Sequence, residues 1–219
     1  MSQMSKLFNQ DNLFFRFMGI LFDLIELNLL ALACSLPVVT AGASLTAMHA
    51  VLWRMIRGEE TYIWRQFLHE FRRNLKQSTI VWAVYLLAGV VMGVDILVAL
   101  QMPGGTRVAM LAGLAVIGVA LVGLAQYLFP LISRYENTVA GHVRNAAALA
   151  VGCFPRTLCM LVVLVAFALV YLQWLIYLIP FILILGVSLP QYCCAWLYNP
   201  VFQRLDGDVD ARYRPIRRD

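Results

Sequence analysis

Charged residues make up only 13% of this 219-residue chain, too few to cover the surface of a soluble domain that long. Other signatures are missing too. There is no Walker sequence and no GxGxxG fingerprint, the usual cradles of a nucleotide phosphate. No Ser/His/Asp arrangement stands in a recognisable context, and no enzyme is expected. His49, His69 and His142 lack HExxH-type spacing, and Cys34, Cys153, Cys159, Cys193 and Cys194 lack zinc-type spacing. No metal and no cofactor are therefore expected. The cysteines fall within or beside apolar segments, where reduced, packed thiols are the usual state. Short alternating segments of the β-barrel kind are absent. No cleavable signal peptide is apparent, because the first apolar run outlasts an h-region and no small-residue cleavage site accompanies it.

What remains is apolar. The chain is 62% hydrophobic, with a mean hydropathy of +0.77. Leu161–Leu172 is broken only by Tyr171, Ile80–Ala99 carries one acid, Asp95, and Val108–Leu131 carries no formal charge. About 20 such residues cross the ~30 Å hydrocarbon layer as a helix. Lipid offers backbone amides no partner, so each segment must satisfy its own, and helices result. The expected fold is an all-α, polytopic transmembrane bundle forming one membrane domain over residues 1–219. Its six membrane helices are placed at 14–36, 43–57, 78–100, 107–133, 157–175 and 177–198. The second is short, and either crosses with help from the extended turn around Pro37 or is re-entrant. Ala43, Ala47 and Ala50 along one face, and Gly89-x-x-x-Gly93, are expected packing notches.

Two amphipathic helices are expected at the membrane surface, at 60–77 and 138–150. In the first, Ile63, Phe67, Phe71 and Leu75 recur every four positions while Arg65, Arg72, Arg73 and Lys76 occupy other faces. A polar, basic tail follows from 199 to 219. The 17 basic and 12 acidic residues concentrate in the gaps and the tail, which the positive-inside rule puts in the cytoplasm. That distribution explains the excess charge without nucleic acid. Six crossings put both termini inside; a re-entrant second helix would put the N-terminus outside.

Ionisable groups at membrane depth cost a few kcal/mol on insertion scales, so they are candidates for function. Asp23 and Glu26 share a face of the first helix, Asn28 follows, and His49 comes within reach if the first two helices pair. Such a cluster would relay protons or bind a cation. Alternatively these groups hydrogen-bond Thr40, Thr46 or Arg54 and hold the hairpin together. Asp95 is expected near the outer end of its helix, in reach of water or Arg107. The surface segments offer partner-contact candidates: Arg72, Arg73, Asn74, Glu136, Asn137, Arg144 and Asn145, with Arg-Asn pairs at 73–74 and 144–145. The stretch from Glu136 through Gly141 to Phe154-Pro155 resembles the coupling loop of ATP-binding-cassette import permeases. Its opening glutamate and closing proline fit; the two alanines after the glutamate are absent and the glycine is displaced by one.

A wider resemblance covers most of the chain. Phe15-Arg16-Phe17, Asp23-Leu24, Leu27-Asn28-Leu29-Leu30 and Ser35 through Ala43 resemble the YesL family of bacterial membrane proteins. So do Arg57-Gly58-Glu59-Glu60, Phe71-x-x-Asn74-x-x-Gln77, Arg134-Tyr135-Glu136-Asn137, Arg144-Asn145-Ala146 and Phe154 through Leu158. The resemblance implies a multi-pass protein of the bacterial cell membrane with no assigned activity. It also implies an association with carbohydrate uptake systems, and hence ATP-binding-cassette transporter subunits as partners beside the lipid bilayer. An accessory role in carbohydrate or solute import is the leading expectation. A small solute or proton-coupled transporter using the acids of the first helix is the alternative.

Overall fold

The computed structural model describes residues 13–59 and 62–213. Glu60 and the tail arginines Arg214, Arg217 and Arg218 lie outside the described residues. The helices are α1 (Leu13–Ser35), α2 (Ala41–Arg57), α3 (Ile63–Leu100), α4 (Gly104–Arg134), α5 (Val139–Gly152), α6 (Phe154–Gln173), α7 (Leu175–Leu185) and α8 (Ser188–Tyr213). A short 3-10 turn, Val38–Thr40, follows Pro37, which cannot extend α1. Gly58 ends α2 in the left-handed region, at φ 71°, where a side chain would be strained. Thr138 opens α5 by accepting a hydrogen bond from the Gly141 amide. No strand occurs among the described residues, and the fold is the all-α bundle that the apolar runs imply.

Four helices are long and apolar enough to cross a membrane: Phe17–Ser35, Ile63–Leu100, Gly104–Arg134 and Phe154–Gln173. The pair α7 and α8, bent by 60°, makes a fifth if it counts as one broken span. The chain is thus a multi-pass membrane protein, with four or five helices of spanning length where six crossings are expected. α2 is not among them. At 17 residues it is about 26 Å long, and it starts against Ser78 and Trp82 of α3. The turn before it is fixed at the same level, with Trp82 Nε1 donating to Val38 O at 2.7 Å. From Trp82, α3 continues to Leu100 for about another 27 Å. The α1–α2 hairpin therefore turns back well short of the far end of α3. α1 and α2 pair as an antiparallel hairpin, with Thr40 donating to Cys34 O at 2.7 Å and Ser44 to Ala31 O at 2.8 Å.

Two other expectations are corrected. The amphipathic segment and the membrane helix after it are one continuous helix, α3, of 38 residues and about 57 Å. No proline or glycine interrupts the chain between Ile63 and Ala88, so the switch from amphipathic to apolar changes the surroundings and leaves the ladder intact. The segment after Tyr198 is no loose tail, since α8 runs on through Pro200 to Tyr213.

The bundle is packed at one end and open at the other. Ala43, Ala47 and Ala50 are buried, as the small-residue spacing predicts, and α2 forms the centre of the packed end. Phe67 of α3, Tyr127 to Ile132 of α4, and Tyr198 and Phe202 of α8 surround it. Toward the other end Val84, Leu87, Val90, Val116, Val162 and Leu169 are exposed, which suits lipid contact. Gly89 and Gly93 meet no neighbour within 4 Å, so this expected notch packs on nothing among the described residues. Asp95 and Arg107 form no ion pair; Arg107 instead donates to Met102 O at 3.3 Å. The cysteines are unpaired as expected, although Cys159 is exposed rather than packed.

Candidate functional site

Of the four polar residues expected to cluster in the first hairpin, Asp23 and Glu26 stay neighbours on α1, while Asn28 and His49 each bond partners near the end of the chain. Asn28 is fully buried and belongs to the break between α7 and α8. Its Nδ2 donates to Leu183 O at 2.7 Å and more weakly to Ile182 O at 3.4 Å, carbonyls at the end of α7. Its Oδ1 accepts from the Val187 and Ser188 amides, both at 2.9 Å, at the start of α8. One side chain thereby satisfies orphan groups of two helix termini in apolar surroundings. Tyr171 Oη closes a further vacancy by donating to Gly186 O at 3.1 Å.

His49, also buried, shares a hydrogen bond with Tyr198 Oη at 3.1 Å between Nδ1 and the phenol, and its ring packs on that tyrosine. Glu26 is exposed and Asp23 half-exposed; neither enters a hydrogen bond or ion pair among the described residues. The hydroxyls expected to meet these acids are engaged elsewhere. Thr40 bonds Cys34 O and Pro37 O, and Thr46 bonds Gly42 O and Ser78 Oγ. Among the described residues no hydrogen bond joins Asp23 or Glu26 to Asn28 or His49.

Charge gathers instead at the packed end. Glu70 of α3 is 1% exposed, yet carries a carboxylate. Arg73 meets it at 2.8 Å, Arg54 of α2 at 3.6 Å, and Asn74 donates to it at 3.2 Å. Arg73 also reaches Ser133 O at 2.9 Å, joining α3 to the end of α4. A second knot lies one layer further out. Asp206 of α8 holds Arg57 at 3.0 Å, Arg134, and the Tyr135 phenol at 2.6 Å. Burial, reinforced by the bond to Asp206, pushes the Tyr135 phenol well above its ordinary value and keeps it protonated. Arg54, Arg57 and Arg134 all lie over the Trp53 ring, at 5.3, 5.0 and 4.9 Å.

Replacing Glu70 with glutamine keeps the shape and removes the charge that holds Arg54 and Arg73. Both arginines are partly exposed, at 29% and 48%, so water takes over part of the lost interaction. The expected loss is about 1–3 kcal/mol, read from thermal unfolding in detergent micelles.

The residues expected to touch a partner divide by exposure. Asn74 is buried against Glu70 and unavailable, and Arg73 is tied to Glu70 and Ser133. Arg72, Glu136, Arg144 and Asn145 are exposed. Asn137 is exposed but serves the loop: its carbonyl accepts from Gln77 at 2.8 Å and its Oδ1 from the Thr138 amide at 2.8 Å. A groove of about 630 Å³ runs along α3, lined by Trp64, Arg65, Leu68, His69, Arg72 and Arg73. The sequence offered Arg72 and Arg73 for this surface but not Trp64, although an exposed tryptophan on an otherwise charged face is a visible signal.

His142 of α5 is buried with neither ring nitrogen bonded. Burial lowers its pKa below the ordinary imidazole value of 6.5, so the folded state favours the neutral ring. A folded-state pKa below the unfolded one makes the contribution to stability full above about 6.5 and progressively lost as pH falls below it. The melting temperature is therefore expected to drop between pH 7.5 and 5.5. His142→Phe should flatten that dependence, and an unchanged slope would contradict the assignment.

No solved structure matches this chain. It is similar to a Bacillus subtilis (strain 168) protein described as "Uncharacterized protein YteU". The two are 29% identical over 178 residues, covering 78% of this chain and 77% of the relative. Residues 24–96, which hold the second half of α1, all of α2 and nearly all of α3, match the family described as "Protein of unknown function, DUF624".

Proposed function

We propose that this chain is a non-enzymatic accessory protein of the bacterial cell membrane, of the YesL type. It serves carbohydrate or other solute import by docking on an ATP-binding-cassette transporter. In this reading the packed, basic end faces the cytoplasm, and with it the start of α1 and the close of α8. The family of unknown function matched at 24–96 is compatible with the YesL-type reading. The observation that carries the proposal is α3. It extends past Lys76 as a single rigid helix and presents an exposed basic and aromatic groove from Trp64 to Arg73. Exposed Glu136, Arg144 and Asn145 lie on the neighbouring loop and α5, in the stretch resembling a permease coupling loop.

A transporter built on the first helix has one observation in its favour. Asp23 and Glu26 lie in an apolar helix with no partner among the described residues, a costly arrangement. Against it, Asn28 and His49 are engaged in bonds that hold α8 in place.

The test is affinity purification of the tagged chain from its native host in mild detergent, with mass spectrometry of the proteins recovered. Docking predicts enrichment of importer permease or ATPase subunits, lost on combining Glu136→Ala, Arg144→Ala and Asn145→Ala. Recovery of the chain alone, or only as a self-oligomer, would contradict it.

A further inference from the structure

We infer that the groove on the N-terminal half of α3 seats an acidic, amphipathic helix of a partner protein. This rests on the docking function proposed above and names the chemistry of the partner. The groove has an apolar floor and a charged rim. Trp64, 48% exposed, and Leu68 lie one helical turn apart, and Arg65, His69, Arg72 and Arg73 flank them. Arg65 lies over the Tyr62 and Trp64 rings at 5.5 and 5.3 Å, which holds its guanidinium at the groove mouth. Among the described residues neither Arg65 nor Arg72 meets a carboxylate. The first turn of α3 contains no acid, so the positive end of its macrodipole adds to the same field. Tryptophan, tyrosine and arginine are also the residue types that most often anchor protein interfaces.

Distance decides between a protein and a lipid headgroup as the source of the negative charge. Lys76 is the last basic residue before the apolar part of α3, so the hydrocarbon begins beyond it. Trp64 and Arg65 lie about 16–18 Å back along the axis from Lys76. The polar layer of a bilayer is only about 5–8 Å deep on each side. An average tilt of about 20° shortens the reach by less than a tenth. Arg72 touches that layer; Trp64 and Arg65 pass beyond it. An apolar stripe flanked by acids, lying over two to three turns of α3, satisfies floor and rim together.

The test places a photo-crosslinking benzoylphenylalanine at position 64 or, separately, 69 of the full-length protein in its native host. The crosslinked peptides are mapped after irradiation. The expected product is a segment of one protein with net negative charge and apolar residues at helical spacing. The pair Arg65→Glu and Arg72→Glu should lower its yield by about tenfold or more, and replacing the acids of the captured segment with lysine should restore it. Both arginines are exposed, so the melting temperature of the variant should stay near wild type, which separates lost contact from lost fold. Crosslinks to lipid only, to a neutral or basic segment, or to nothing would overturn the inference, as would a yield indifferent to charge reversal. An acidic helix from a protein outside any importer would keep the inference and refute importer docking. Importer subunits that co-purify without a groove crosslink would do the reverse.

Discussion

Asn28→Leu is expected to destabilise the protein by about 3–6 kcal/mol, a large part of the stability of an ordinary domain. The side chain is fully buried and makes three bonds of 2.9 Å or shorter to backbone on both sides of the α7–α8 break. Leucine fills the same space but leaves two amides and a carbonyl without partners. Each such buried group costs about 1–3 kcal/mol, and lipid supplies no water to soften the loss. Asn28→Asp should fall between. It keeps an acceptor for the Val187 and Ser188 amides and loses the donor to Leu183 O. Denaturation in mixed micelles, followed by circular dichroism, measures both. A leucine variant within about 1 kcal/mol of wild type would show that the break does not depend on Asn28.

Gly42→Ala is the second large effect, at about 2–4 kcal/mol. An added Cβ would run into Trp82 Cβ and lie 2.8 Å from the Ser78 carbonyl oxygen. Both obstacles are backbone or the atom next to it, so no rotamer change relieves the clash and α2 must move off α3. That shift would also disturb the Thr46–Ser78 hydroxyl pair, at 2.8 Å one turn along α2. Gly89→Ala is the control. Nothing lies within 4 Å of its Cβ, and alanine is the better helix former, so its stability should be unchanged or slightly raised. Equal melting temperatures for the two variants would contradict the close α2–α3 packing.

The apolar runs made the helical membrane fold legible before any coordinates, because the hydrocarbon layer dictates segment length and backbone self-sufficiency. Positions depending on contacts distant in sequence were not legible. Asn28 was read as a polar residue of the first hairpin, whereas its partners lie 154 to 160 residues later. Nothing in the sequence singles Glu70 out as a buried acid. Its spacing to Arg73 and Asn74, three and four residues on, was a signal for an intrahelical pair, but its burial came from α2. The continuity of α3 could have been read from the absence of helix breakers between Ile63 and Ala88. The change of hydropathy at Ser78 suggests an end that the backbone does not make. The small-residue faces show the limit of motif reading: Ala43, Ala47 and Ala50 pack inside the bundle, while Gly89 and Gly93 pack on nothing among the described residues.

The measurement that separates docking from transport most directly is solute uptake in a host lacking the chromosomal copy. The host is supplied with wild type, with Asp23→Asn combined with Glu26→Gln, or with Arg65→Glu combined with Arg72→Glu. The labelled solute is the carbohydrate carried by whichever importer co-purifies. Docking through the basic end predicts that the neutralised acids leave uptake near wild type and that the reversed arginines reduce it toward the level of the deletion. Loss of uptake with the acids neutralised, and full uptake with the arginines reversed, would contradict docking and return the function to the first helix.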